Sequence, residues 1–131
     1  MPTVTGQPTT CSPEQRKPAY DNDRYWSERL EREFNLAGVG HAGVGQAFNR
    51  WAYRVRRAVL LHALQRHKVA IPRCTLLELG FGTGFYLDLW RGLGASRVLG
   101  FDITEIAVSA ARARFGGPDD AKSAGWRFEK A

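Results

Sequence analysis

Cysteine is scarce in this sequence: Cys11 lies in a polar stretch and Cys74 ahead of an apolar run, and there is no other. Neither a disulfide framework nor a structural zinc site is expected from two such residues. Three histidines, His41, His62 and His67, fall at no metal-ligand spacing. No apolar run approaches the ~18 residues of a membrane span, and the mean hydropathy is -0.36. The N-terminus MPTVTGQPTTCSPEQRKPAY has neither the charged start nor the apolar stretch of a secretory leader. A soluble, cytoplasmic protein without a metal is the expectation. Acidic residues are also few, 13 against 19 Lys and Arg, which gives a formal charge of +6. Clustered cations bind phosphates by releasing counterions, but the arginines here are scattered, so a nucleic-acid partner is not favoured.

What is present is a folded composition, 44% apolar and 11% aromatic over 131 residues, enough for one small domain. Residues 1–20 carry four prolines and no apolar period, the signature of a disordered tail. From Asp23, RYWSERLEREF spaces Tyr25, Trp26, Leu30 and Phe34 as one face of a helix, with Asp21, Asn22 or Asp23 to cap it. LAGVGHAGVG follows, too glycine-rich for helix or strand. A second helix, roughly Gln46 to Lys68, sets Phe48, Trp51, Val55, Val59, Leu60 and Leu64 on one side and Arg50, Arg54 and Arg57 on the other, and Pro72 ends it. Then come a strand in CTLLELG, a helix from Phe85 to Leu93 and a strand in SRVLGFD. A helix from Glu105 to Phe115 with Ile106, Ala110 and Ala113 inward precedes a third strand in GWRFEKA. That alternation predicts an α/β parallel sheet. A sheet ending at its third strand reads as truncated, with one edge unpaired and one face poorly covered.

The chemistry concentrates in Leu76-Leu77-Glu78-Leu79-Gly80-Phe81-Gly82-Thr83-Gly84, a strand ending near an acid and turning through three glycines into a helix. Glycine there permits a tight turn and close approach of a ligand to the backbone. The dinucleotide fingerprint fails because Phe85 stands where its last glycine belongs, and a Walker loop fails because Gly84 is followed by Phe85-Tyr86. A carboxylate ahead of the turn repels phosphate and favours a cationic ligand. Twenty-four residues beyond Glu78, Asp102 ends the next strand. A carboxylate accepts hydrogen bonds from a diol well, but Asp102-Ile103-Thr104-Glu105 also fits a helix capping pattern, so the cap remains an alternative.

ELGFGTG resembles the acid-x-Gly-x-Gly-x-Gly motif of class I S-adenosylmethionine-dependent methyltransferases. The resemblance spans about residues 24–131 and is specific from Leu76 to Ile106. It implies a Rossmann-like sheet of that family's type, truncated after the third strand and preceded by two helices. It divides the chain into a tail at 1–20, a helical lid segment at 21–70 and the N-terminal half of a cofactor-binding domain at 71–131. It implies S-adenosylmethionine as cofactor, with Glu78 on its amino-acid end and the Gly80, Phe81, Gly82, Thr83 and Gly84 backbone against it. Asp102 would take the two ribose hydroxyls and Ile103 would lie on adenine. The implied activity is methyl transfer to a small-molecule acceptor. The alternative is a non-catalytic cofactor-binding fragment completed by a partner chain on the open sheet edge. Tyr25-Trp26, the glycine loop and Asn49-Arg50-Trp51 look like a lid over the cofactor. His41, in that loop, is the candidate general base, against the commoner exposed loop histidine. Arg50, Arg54 and Arg57 read as a solvated face. Trp26, Trp51 and Trp90 read as core or lid packing, and Trp126 as filling a sheet face.

Overall fold

The computed structural model of the chain describes residues 21–116 and 125–131; the expected tail at 1–20 lies outside the described residues, as do Gly117 and Pro118. Helix α1 is Asn22–Arg32, started by Asp21, whose carboxylate accepts from Arg24 N at 3.0 Å. Leu30 is its buried anchor. Phe34 falls past the helix, where Glu33 is already extended, and is exposed rather than on the inner face.

The glycine-rich stretch is not wholly irregular, contrary to the sequence expectation. Leu36–Val39 forms a short helix, α2, because the Asn35 side chain accepts from Ala37 N at 2.7 Å and Gly38 N at 3.4 Å. Such a cap satisfies first-turn donors that a glycine-rich sequence would otherwise leave to water. Three helices, not two, therefore precede the sheet.

Helix α3 is Gly45–Arg66. Leu60 and Leu64 pack on the core as their spacing predicts, joined by Leu61. Phe48, Trp51, Val55 and Val59 do not: all are exposed, Trp51 at 55% and Val59 at 65%. The inward position is taken instead by Asn49, 1% exposed, because its amide is fully used by neighbouring backbone. Periodicity that scores Asn as polar cannot see this. The helix thus carries two apolar stripes, only one of which is covered.

After a 3-10 turn at Ile71–Arg73 come strand β1 (Thr75–Leu79), α4 (Phe85–Gly92), β2 (Arg97–Asp102), α5 (Glu105–Phe115) and β3 (Gly125–Lys130). The sheet is parallel in the order β1-β2-β3, with Glu78 beside Gly100 and Gly100 beside Phe128. The α/β fold class expected from the sequence is present. One face carries the core, where Val98, Trp126 and Phe128 meet Ala107, Val108, Ala111 and Phe115 of α5. Those residues, and not Ala110 and Ala113, form the inner face of α5; Ala113 is exposed. Trp126 stacks on Phe115 at 5.5 Å and fills its sheet face as expected. The opposite face leaves Leu77 at 62%, Leu79 at 69% and Leu99 at 40% exposure, and β1 has one free edge among the described residues. Among the described residues no helix is long and apolar enough to cross a membrane.

Candidate functional site

The turn after β1 runs through three left-handed glycines, Gly80 at φ 67, Gly82 at φ 51 and Gly84 at φ 81. A side chain in that region costs about 1 kcal/mol or more, so the sequence spends glycine where the chain turns from strand to helix. Gly80 N donates to Phe101 O at 2.7 Å, which fastens the turn to β2. The three glycines have different neighbours. A Cβ on Gly80 would meet nothing, one on Gly82 would strike Val39 of α2 at 2.6 Å, and one on Gly84 would press Phe115 at 3.3 Å.

Asp102, at the end of β2 and 5% exposed, reaches across to this turn. One carboxylate oxygen accepts from Gly82 N at 2.8 Å, the other from Thr104 N at 2.9 Å and Thr104 Oγ1 at 2.8 Å. The cap of α5 is Thr104, whose hydroxyl accepts from Ala107 N at 3.4 Å. Asp102 is therefore not the cap; it makes a turn bond to the residue two positions on and holds the glycine turn to the sheet. A carboxylate has about four acceptor positions. Three are filled, which leaves one on the oxygen shared with Gly82.

Glu78 is bonded more sparingly. Its Oε2 accepts from Trp90 Nε1 on α4 at 2.8 Å. Burial raises its pKa above the usual carboxylate value, and the indole bond opposes that rise.

These groups share one cavity of about 380 Å³ at the carboxyl ends of β1 and β2, where open α/β sheets place their ligands. Glu78, Gly80, Phe81, Gly82, Thr83, Asp102 and Ile103 all line it; Gly84 is turned away and buried against Phe115. The front wall comes from Trp26 and Leu30 of α1, Val39 of α2 and Tyr53 of α3, the side wall from Phe85 and Tyr86 of α4. Trp26 thus lines the cavity wall. Tyr53, Val39 and Tyr86 are cavity residues that sequence reasoning passed over. Tyr53 packs edge-on to Phe85 at 4.9 Å, and burial holds the Tyr53 and Tyr86 hydroxyls above their usual pKa, so both stay protonated. Two carboxylates and no Lys, Arg or His among the described residues line this cavity, in a chain of net charge +6.

His41 lies elsewhere. It lines a second cleft of about 550 Å³ with Arg29, Arg32 and Asn49, and its Nε2 is 3.5 Å from Arg56 Nη2. Trp51 is exposed on α3, and Trp90 is buried as a partner of Glu78.

No family model matches the sequence, and no curated protein matches it. Among solved structures, the crystal structure of an S-adenosylmethionine-dependent methyltransferase from Mesorhizobium loti is similar, with 33% sequence identity over 53% of this chain and a TM-score of 0.40. The similar part covers 29% of that protein, so this chain spans less than a third of its length.

Proposed function

We propose that this chain binds S-adenosylmethionine in the cavity between Glu78 and Asp102 and serves methyl transfer to a small-molecule acceptor. The observation that carries the reading is the pairing of two strand-end carboxylates across a glycine turn in a cavity that no described cation lines. Such a site repels phosphates and attracts a ligand bearing ammonium and sulfonium charge. The aromatic ring of Phe85 on the cavity wall further favours a cation, whereas Trp26 and Tyr53 already carry the guanidinium groups of Arg29 and Arg56. Glu78 would accept from the ammonium, and the open space at Gly80 lets the amino-acid end approach the backbone. Asp102 offers its remaining position to one ribose hydroxyl; taking both directly requires Gly82 or Thr104 to release a bond. Ile103 lies on the same wall for the adenine.

When bound, the cofactor supplies an electrophilic methyl group. The chain's own contribution is to orient the cofactor and to exclude water with its apolar front wall. Isothermal titration with S-adenosylmethionine, with NAD as the control, tests the reading: one-to-one binding of the former alone supports it, and binding of NAD instead overturns it.

A second reading is favoured by one observation, the bare sheet face at Leu77, Leu79 and Leu99 beside the free edge of β1. Parallel sheets are normally covered on both faces, so a partner chain laid on this face and edge would make the present chain the cofactor-binding portion of a larger assembly. Cofactor binding without methyl transfer by the isolated chain, with transfer restored by a partner, is the outcome that distinguishes it.

A further inference from the structure

We infer that Trp90 is a positioning residue for the ligand's ammonium group: its indole N–H holds one oxygen of Glu78 and so presents the other to the cavity as a fixed acceptor. The inference rests on the cofactor reading above and adds a residue that touches no ligand.

The geometry is specific. Trp90 is on α4, six residues beyond the last glycine of the loop, 8% exposed, and its side-chain N–H points at Glu78 Oε2 at 2.8 Å. Burial and this indole bond are the two influences on the Glu78 carboxyl. A half-buried carboxylate without such a donor would rotate about its last torsion and favour its neutral form. The indole bond opposes both tendencies, because a hydrogen bond to the charged form stabilises that form.

No described cation competes for the role. The titratable groups facing Glu78 in the cavity are Tyr53 of α3, Tyr86 of α4 and Asp102 of β2. Both tyrosines are neutral, and Asp102 is committed to the glycine turn. Arg56 acts on the tyrosine wall, with its guanidinium 5.4 Å from the Tyr53 ring. Ligand affinity should therefore rise with pH as Glu78 ionises, over a range that Trp90 sets.

The direct test needs no ligand. In two-dimensional nitrogen–proton spectra of the full chain, which has four tryptophans, one indole signal should move as Glu78 titrates, and Glu78→Gln should abolish that movement. Four indole signals indifferent to pH would overturn the inference. A second test uses affinity. Trp90→Phe keeps a ring in place and deletes the donor, and should weaken S-adenosylmethionine binding about tenfold, the scale of a lost hydrogen bond to a charged group. It should also move the pH profile of binding upward. In a Glu78→Leu background, where the indole has no acceptor, the same change should cost nothing further; an equal loss in both backgrounds would mean that Trp90 only packs. Failure of the wild-type chain to bind the cofactor would count against the proposed function, and the indole titration would still decide the role of Trp90.

Discussion

Two glycine-rich segments lie on either side of the cavity, and they are held in opposite ways. The front segment, residues 37–45, is fastened from both sides. Arg29 donates to Ala37 O at 2.9 Å and Gly40 O at 3.0 Å while stacking over Trp26 at 4.9 Å. Asn49 accepts from His41 N at 2.8 Å and donates to His41 O and Gly45 O at 3.1 Å. Among the described residues the turn at 80–84 is instead tied to a side chain by Gly82 N alone, through Asp102, and its Gly80 faces open space. In the first segment Gly38 and Gly40 serve close packing, a Cβ on Gly40 colliding with the Asn49 amide, while Gly43 and Gly45 have open space and supply left-handed turns. In the second, Gly80 leaves backbone accessible to a ligand, while Gly82 and Gly84 lie close against Val39 and Phe115. Gly40 thus marks a clamp and Gly80 a binding surface, and what separates them is what already occupies the space beside each backbone.

Substitutions that exchange these roles would break the comparison. The largest effect is expected at Asn49→Ala, which removes three hydrogen bonds from a buried amide to the backbone of His41 and Gly45 and, at about 1 kcal/mol each, should cost about 3 kcal/mol of stability. Chemical denaturation reads it, and affinity for the cofactor should change less than stability does. Asp102→Ala should weaken cofactor binding by about 1 to 3 kcal/mol as a charged hydrogen bond is lost, in addition to the stability lost with its ties to Gly82 and Thr104. Titration calorimetry measures this; unchanged affinity would reduce Asp102 to a structural tie. Gly80→Ala, at a left-handed position with space around it, should cost about 1 kcal/mol of stability, from backbone strain alone. A methyl there would project into the cavity, so affinity should fall as well.

How much of this was legible in the sequence follows from the same contrast. Strand, turn, helix and second strand between residues 75 and 102 could be read because each is specified locally, by an apolar run, a glycine spacing and an amphipathic period. Glu78, the glycine turn, Asp102 and Ile103 do converge on one cavity. The front of the molecule was harder, since Arg29 and Asn49 look like surface residues until their partners eight or more positions away are known. Reading α3 by its apolar period put Phe48 and Trp51 inward and missed Tyr53, because the buried stripe is led by a satisfied amide. Thr104 displaced Asp102 as the cap for a similar reason: Asp102 has a long-range partner in Gly82.

The smallest effect expected concerns Glu78 and pH. Its folded-state pKa is raised by burial, so its contribution to stability is fully present while it is protonated in both states and is lost as pH rises through the folded value. Glu78→Gln should therefore raise the melting temperature of the ligand-free chain in mild alkali, and the gain should vanish in acid. Stability and binding oppose each other here, as is common where a site holds a group its ligand requires.

On the proposed reading, one cavity holds the cofactor's ammonium at Glu78 and its ribose at Asp102. A crystal structure of the chain with S-adenosylhomocysteine tests it most directly. The amino group should lie within hydrogen-bond distance of Glu78, with a ribose hydroxyl on the Asp102 oxygen that accepts from Gly82. The ligand seated in the cleft beside His41, or in the cavity with its adenine at Glu78, would contradict it.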